Sequence, residues 1–358
     1  MGGASGDDCG AGPAPVVMED EMKHQRSIAA MAVCAVLMGA VPAAGQVGSA
    51  DAAAWEVPRM PDGRPDLQGV WANNAATPLE RPETLADRRE LSDEEVAALT
   101  QHARELFNGE TDAAFGDSVF NAALAQSQGF SSTDAGTGNY NQFWLVDRDF
   151  ENRTSLIIDP PDGRVPPLTD AAQARTEEAR AYRRDHPADS YTDRNNSDRC
   201  ITYGVPRIRA GYNSYFQFVQ TPDHLAILKE LIHDVRIIPI EGQPHLDDRI
   251  RQWMGDSRAR WDGDTLVIET TNYSEKSNFM GSAESFHLEE RFTRVGPDTL
   301  NWELTFTDPT HWTLPWTVLI ALTKTDDPVF EFACHEGNIA MEGILGGHRA
   351  EEREAQEQ

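Results

Sequence analysis

The sequence predicts a mainly β protein with an α-helical and irregular N-terminal part, its C-terminal half forming an antiparallel β-barrel or a β-sandwich. Three observations carry this. From Tyr212 onward, short apolar runs marked by Phe216, Phe218, Leu225, Ile227, Val235 and Ile237 are separated by turn chemistry. Asp262-Gly263-Asp264 and Gly296-Pro297-Asp298 each join two alternating segments, and Gly supplies the positive φ that tight hairpins demand. No helical pattern separates these segments, so the strands follow one another as hairpins and pair antiparallel.

Taken in order, residues 1–46 read as an upstream extension plus a signal peptide. Met22-Lys-His-Gln-Arg26 is followed by an apolar, Ala-rich run to Val41 and then small residues, which is the basic, apolar, small order of a secretory signal starting at Met22. The apolar run is shorter than the roughly twenty residues a membrane-spanning helix needs. The expectation is therefore a periplasmic or extracellular product with no stable membrane insertion after cleavage. Residues 47–199 form an extended and partly helical wrapping region. Prolines 58, 61, 65, 78 and 82 keep its first part extended. Ser92-Asp-Glu-Glu95 is a capping box that opens a helix to about Phe107, with Val96, Leu99, Ala103 and Leu106 on one face. Residues 108–141 read as a long loop, and Thr169 to Arg184 as a second helix. Residues 200–347 form the antiparallel β-domain, including strands at Arg260-Trp261, Thr265 to Tyr273, Arg291 to Val295, Thr299 to Thr307, Trp316 to Thr323 and Val329 to Ala333. Residues 348–358 are a charged tail.

Charge narrows the partners. The 358 residues hold 31 Lys and Arg against 59 Asp and Glu, a net −28. Removing the five acids and two bases before Gln46 leaves 54 and 29, so the exported chain stays strongly acidic. Such a surface repels phosphate backbones and anionic membranes, which excludes nucleic acid and favours a small-molecule ligand or substrate. Cys9 and Cys34 leave with the signal segment, and the remaining pair, Cys200 and Cys334, suits one disulfide in an oxidising compartment, with two buried free thiols as the alternative.

No Gly-x-Ser-x-Gly elbow, phosphate loop, dinucleotide fingerprint or His-Glu-x-x-His occurs in the mature chain. What remains is a concentration of ionisable residues between 233 and 342. In Phe286-His-Leu-Glu-Glu-Arg-Phe292, a strand places His287, Glu289 and Arg291 on one side, an imidazole, a carboxylate and a guanidinium in a row. Such a row supplies a base, its orienting partner and an anion clamp, or else a solvated salt-bridge face. His233, Asp234 and Arg236 repeat the set, with a hairpin corner as the plainer alternative. His245, His335 and Glu336 are candidate ligand-binding residues, as are Trp253, Trp261 and Trp302, which with Trp312 and Trp316 either line a cavity or form core. No cofactor is expected. A zinc site drawing on His335, Glu336, His287 and His245 is the minor alternative.

Four segments carry a resemblance. Met60-Pro-Asp-Gly-Arg-Pro-Asp-Leu-Gln-Gly-Val-Trp71, Asp159-Pro-Pro-Asp-Gly-Arg-Val-Pro166, His233 to Ile240 with Gly255 to Leu266, and Cys334-His-Glu-Gly-Asn338 resemble an uncharacterised family of secreted proteins from soil and marine bacteria. The resemblance implies a shared fold and export, and carries over no activity and no catalytic residue.

Two functions follow as expectations. One is a cofactor-independent acid/base hydrolase or lyase acting on a small organic molecule in a cavity of the β-domain, which requires polar side chains to converge in one pocket. The other is a non-catalytic, lipocalin-like carrier of an apolar ligand, which requires an apolar cavity with the ionisable groups outside it.

Overall fold

The computed structural model describes residues 55–109, 112–131, 147–277, 279–282 and 284–357. The segment expected to be a signal, with Met22, Cys9 and Cys34, lies outside the described residues. Among those described, no helix is long and apolar enough to cross a membrane.

The architecture is one mainly antiparallel ten-stranded sheet with few helices. Its strands are β1 (Gly69–Ala72), β2 (Ile157–Asp159), β3 (Tyr215–Gln220), β4 (His224–Lys229), β5 (Val235–Pro239), β6 (Asp256–Asp262), β7 (Thr265–Thr271), β8 (His287–Arg294), β9 (Thr299–Thr307) and β10 (Trp316–Thr325). The order is β5-β4-β3-β1-β10-β9-β8-β7-β6, with β2 paired to β10 on the edge opposite β9. Hairpins account for both wings, as the alternating patterns require. The junction between them comes from the N-terminal region: β1 is hydrogen-bonded between β3 and β10. Residues 47–199 thus supply the middle of the sheet as well as its wrapping. The end strands β5 and β6 share no ladder. They meet just beyond β5 at a single parallel bridge, Ile240 with Ala259, where Glu241 N–H donates to Ala259 O at 2.7 Å.

One face of the sheet is the core. In β8, β9 and β10 every second residue is buried: Leu288, Glu290 and Phe292; Leu300, Trp302, Leu304 and Phe306; Trp316, Val318, Ile320 and Leu322. Aromatic rings interlock across the strands. Phe306 stacks on Trp316 with centroids 4.1 Å apart, while Phe292 stacks on Trp302 at 5.7 Å and meets Phe218 edge-on at 5.2 Å.

The helices α1 (Asp93–Leu106) and α3 (Asp170–Asp185) start where their caps place them. Ser92 and Glu95 form the reciprocal capping box, and Thr169 accepts from Ala172 N–H. The stretch expected as a loop over 108–141 contains a further helix, α2 (Asp117–Leu124), which buries Val119, Phe120 and Ala123. The strand expected at Val329 to Ala333 is not formed. Phe330 N–H there donates to the Glu230 carboxylate at 3.0 Å, a side-chain partner where a ladder would offer a carbonyl. The charged tail is the second half of α4 (Ile339–Glu357), a helix with no buried residue, moored by His348 and Arg349 to Asp189. Cys200 and Cys334 form a disulfide with Cα atoms 5.6 Å apart, tying the segment before α4 to the loop before β3.

Candidate functional site

A polar cluster sits inside the core face, where apolar side chains would be expected. On β4, Leu225, Ile227 and Lys229 share one face, and the first two are fully at home there. Lys229 follows them inward and is buried. Its Nζ lies 3.0 Å from Asp234 Oδ2 and donates to Gly204 O at 3.0 Å. Asp234 also accepts from the Thr202 hydroxyl at 2.8 Å. On β5, Arg236 points inward and reaches across the cluster. Its Nη1 and Nη2 donate to Glu290 of β8 at 3.1 and 2.7 Å, and Nη2 also contacts Ser257 of β6 and Thr270 of β7. Glu290, wholly buried, accepts a third bond from Trp302 Nε1 at 3.2 Å. Arg236 Nε is buried with no partner among the described residues.

These groups border one cavity. Lys229, Asp234, Arg236, Glu290 and Arg207 supply its charges, and Phe216, Phe218, Phe292, Trp302, Met254 and Leu322 its apolar wall. Three cations face two carboxylates, an excess of positive charge inside a strongly acidic protein. The free space is about 30 Å³, room for one or two waters. Residues Gly204 to Arg207 form part of the wall, and their other side borders the surface.

Burial sets the electrostatics. It pulls the Lys229 ammonium below its ordinary pKa against the opposing pull of Asp234, and it lowers Arg207 in the same way. At Arg236 burial also acts downward, but the charge and hydrogen bonds of Glu290 outweigh it and hold the guanidinium above its usual value. The result is a guanidinium held charged at Arg236 beside a lysine whose ammonium form burial disfavours.

Of the residues singled out from sequence, Asp234, Arg236 and Trp302 come together here. The others do not. His287, Glu289 and Arg291 lie on the opposite face of β8, where Arg291 pairs with Asp262 at 2.8 Å and stands 3.7 Å from Glu289. That is the solvated salt-bridge face. His233 is exposed on the corner before β5, at φ +58°. His245 is hydrogen-bonded through Nδ1 to buried Asp256 at 2.9 Å, which also pairs with Arg258 at 2.7 Å, away from the cavity. His335 and Glu336 are exposed. Trp261 is half-buried beneath Arg64, and Trp253 lies in an outer groove. Sequence reasoning missed Lys229, Glu290 and Arg207. For the first two a signal existed: Lys229 follows Leu225 and Ile227, and Glu290 sits between Leu288 and Phe292, each a charge within an apolar alternation.

The four residues of the zinc alternative are not brought within ligand distance of one another. Among the described residues, the group with metal-ligand spacing is Asp189, His348 and Glu352, on the surface where α4 is moored. His348 Nε2 is hydrogen-bonded to Asp189 Oδ1 at 3.0 Å and stands 3.6 Å from Glu352, so the hydrogen bond accounts for the approach.

No family model, curated protein or solved structure matches this chain. The site therefore rests on its own geometry.

Proposed function

We propose that this is an exported protein that acts on a compact organic anion by acid/base chemistry, inside a β-sheet curled into a barrel. The observation that carries the reading is the convergence of Lys229, Asp234, Arg236, Glu290 and Arg207 on one aromatic-walled cavity. In this reading Lys229, drawn toward its neutral form by burial, accepts a proton from the bound molecule. Asp234 holds the lysine in place. Arg207 and Arg236 offset the negative charge that develops, an arrangement worth most in a water-poor site. The preference for a carboxylate over a neutral ligand rests on Arg207, which pairs with neither of the two cavity carboxylates. Entry requires the Tyr203 to Arg207 segment to swing aside, because the resting space holds no more than waters.

Three features support the frame of this proposal. The end strands of the sheet approach at Ile240 and Ala259, as a barrel requires. The disulfide is compatible with export. The sequence before Gln46 has the order of a secretory signal. Carriage of a large apolar ligand is less well supported, since carrier cavities run to several hundred Å³.

The test is a screen of small mono- and dicarboxylic acids against residues 47–358, by ligand-observed NMR for binding and for turnover. Wild type is compared with the charge-neutral pair Lys229→Met with Asp234→Asn, folding being checked by circular dichroism. The proposal expects an acid that binds to wild type and is lost from the folded double variant. Binding that persists in the folded double variant, or no binding of any acid to wild type, overturns it.

A further inference from the structure

Outside the sheet, the face of α3 that carries Arg175, Glu178, Tyr182 and Arg183 forms one wall of a long groove of about 950 Å³. With Ala179 they recur at i, i+3, i+4, i+7 and i+8, so they share one side of the helix. The opposite wall is the Tyr191 to Gly204 loop, and Trp253 with Lys276 closes one flank.

Two properties set this groove apart from the rest of the surface. Its lining charge is inverted: Arg175, Arg183, Arg199 and Lys276 face Glu178 and Asp193, with Arg194 paired to Asp198 at 2.9 Å, in a chain of net −28. Neither Arg183 nor Lys276 belongs to an ion pair among the described residues, although Lys276 is one of only four lysines in the chain. Its large side chains are exposed aromatics: Tyr191 is 59% exposed, Tyr182 53%, Tyr203 49% and Trp253 37%. Arg199 and Arg207 cap one face of Tyr191 and Tyr203, with 5.1 and 4.9 Å to the ring centroids, which steadies the rings while the remaining surface faces out.

We infer that this groove binds a short anionic saccharide, a chain of uronate sugars. The apolar C–H faces of pyranose rings pack on aromatic rings, and Tyr and Trp provide that contact at small entropic cost. Asn195 and Asn196 offer sugar hydroxyls the amide positions not taken within the loop, where Asn195 Oδ1 accepts from Ser197 Oγ and Asp198 N–H and Asn196 Nδ2 donates to Lys276 O, and Arg183 and Lys276 match the carboxylates. The size suits several sugar units. An acidic peptide fits less well, because Ala179 is the sole aliphatic side chain lining the groove and no pocket for a peptide anchor is formed. An oligonucleotide meets the same overall repulsion as a uronate chain, so the titration below separates the two. The inference is independent of the chemistry assigned to the inner cavity, since it concerns binding alone.

Isothermal titration calorimetry of the protein from residue 47 onward tests it with tetragalacturonate, maltotetraose, hexaglutamate and an eight-residue oligothymidylate. Three variants accompany wild type: Trp253→Ala, the charge reversal Lys276→Glu with Arg183→Glu, and Tyr215→Phe as a control outside the groove. The inference expects tetragalacturonate to bind at least about tenfold more tightly than maltotetraose, with affinity falling as salt rises. Charge reversal is expected to cost about tenfold or more, and Trp253→Ala a similar factor at any salt. All these substitutions are at exposed side chains apart from the control, so folding is retained. No binding of tetragalacturonate at millimolar concentration, equal binding of maltotetraose, affinity indifferent to both groove variants, or tighter binding of the peptide or the oligonucleotide each overturns the inference.

Discussion

Replacing Glu290 by Gln keeps the shape of the side chain and removes its charge, leaving Arg236 enclosed without a counter-ion. The two side chains are 0% and 11% exposed, and three hydrogen bonds converge on the Glu290 carboxylate. Breaking one partner of a buried pair costs about 3–5 kcal/mol, because the surviving charge keeps its desolvation penalty and loses its compensation. At about 2 °C per kcal/mol for a chain of this size, the melting temperature falls by roughly 6–10 °C. Urea denaturation followed by tryptophan fluorescence measures the loss directly. The decisive comparison is Arg236→Met combined with Glu290→Leu. Removing both charges removes the penalty, so the double variant is expected to be more stable than Glu290→Gln alone. A Gln variant within about 1 kcal/mol of wild type, or a double variant less stable than the single, would refute the argument that charge compensation holds this part of the core.

Other consequences follow from the same physics. Breaking the Cys200–Cys334 bridge with paired serines opens a loop set by a sequence separation of 134, and the chain-entropy model assigns this about 5 kcal/mol; an unchanged urea midpoint would exclude that model here. Burial, reinforced by Asp327, pushes the Tyr215 hydroxyl up to about 12. The folded protein therefore holds that proton more tightly than the unfolded chain, and the stability it contributes is lost as pH rises from about 10 to 12. Tyr215→Phe should flatten the alkaline fall in urea midpoint. Hydrogen bonds from Arg88 and then from Ser92 N–H hold Glu95 down to about 2. Its contribution is present above about pH 4 and is lost as pH falls toward 2, so Glu95→Gln should remove part of the acid sensitivity of α1, read by amide exchange. Ser92→Ala should cost about 1 kcal/mol at neutral pH.

The elements that could be read from sequence are those whose signals are local. Ser92 and Thr169 announce α1 and α3 because a cap lies next to the helix it serves, and Gly263 marks its hairpin for the same reason. The short helix α2 was hidden, because it owes its place to burial of Phe120 and Val119 against the rest of the chain and sits among loop-forming residues. The disulfide was legible from the parity of cysteines left in the mature chain. The site was legible only in part. Alternation in β8 divides His287, Glu289 and Arg291 from Leu288, Glu290 and Phe292, and the richer set of charges drew attention to the outer face. The apolar set was the one to follow: a carboxylate between Leu288 and Phe292, or an ammonium after Leu225 and Ile227, must find a partner indoors. Which partner it finds depends on strand order, and nothing local to β4 or β8 encodes that.

The meeting of β5 and β6 at one bridge gives the sheet an unequal mechanical character. Eight ladders bind the path from β5 to β6, whereas β5 and β6 themselves are joined by the bridge at Ile240 and Ala259 and by the hydrogen bond from Arg236 to Ser257. Strain applied to these two end strands is therefore expected to part them before any ladder yields. With Ile237 71% exposed and Val235 46%, β5 offers an apolar edge of the kind that invites a strand from a second chain.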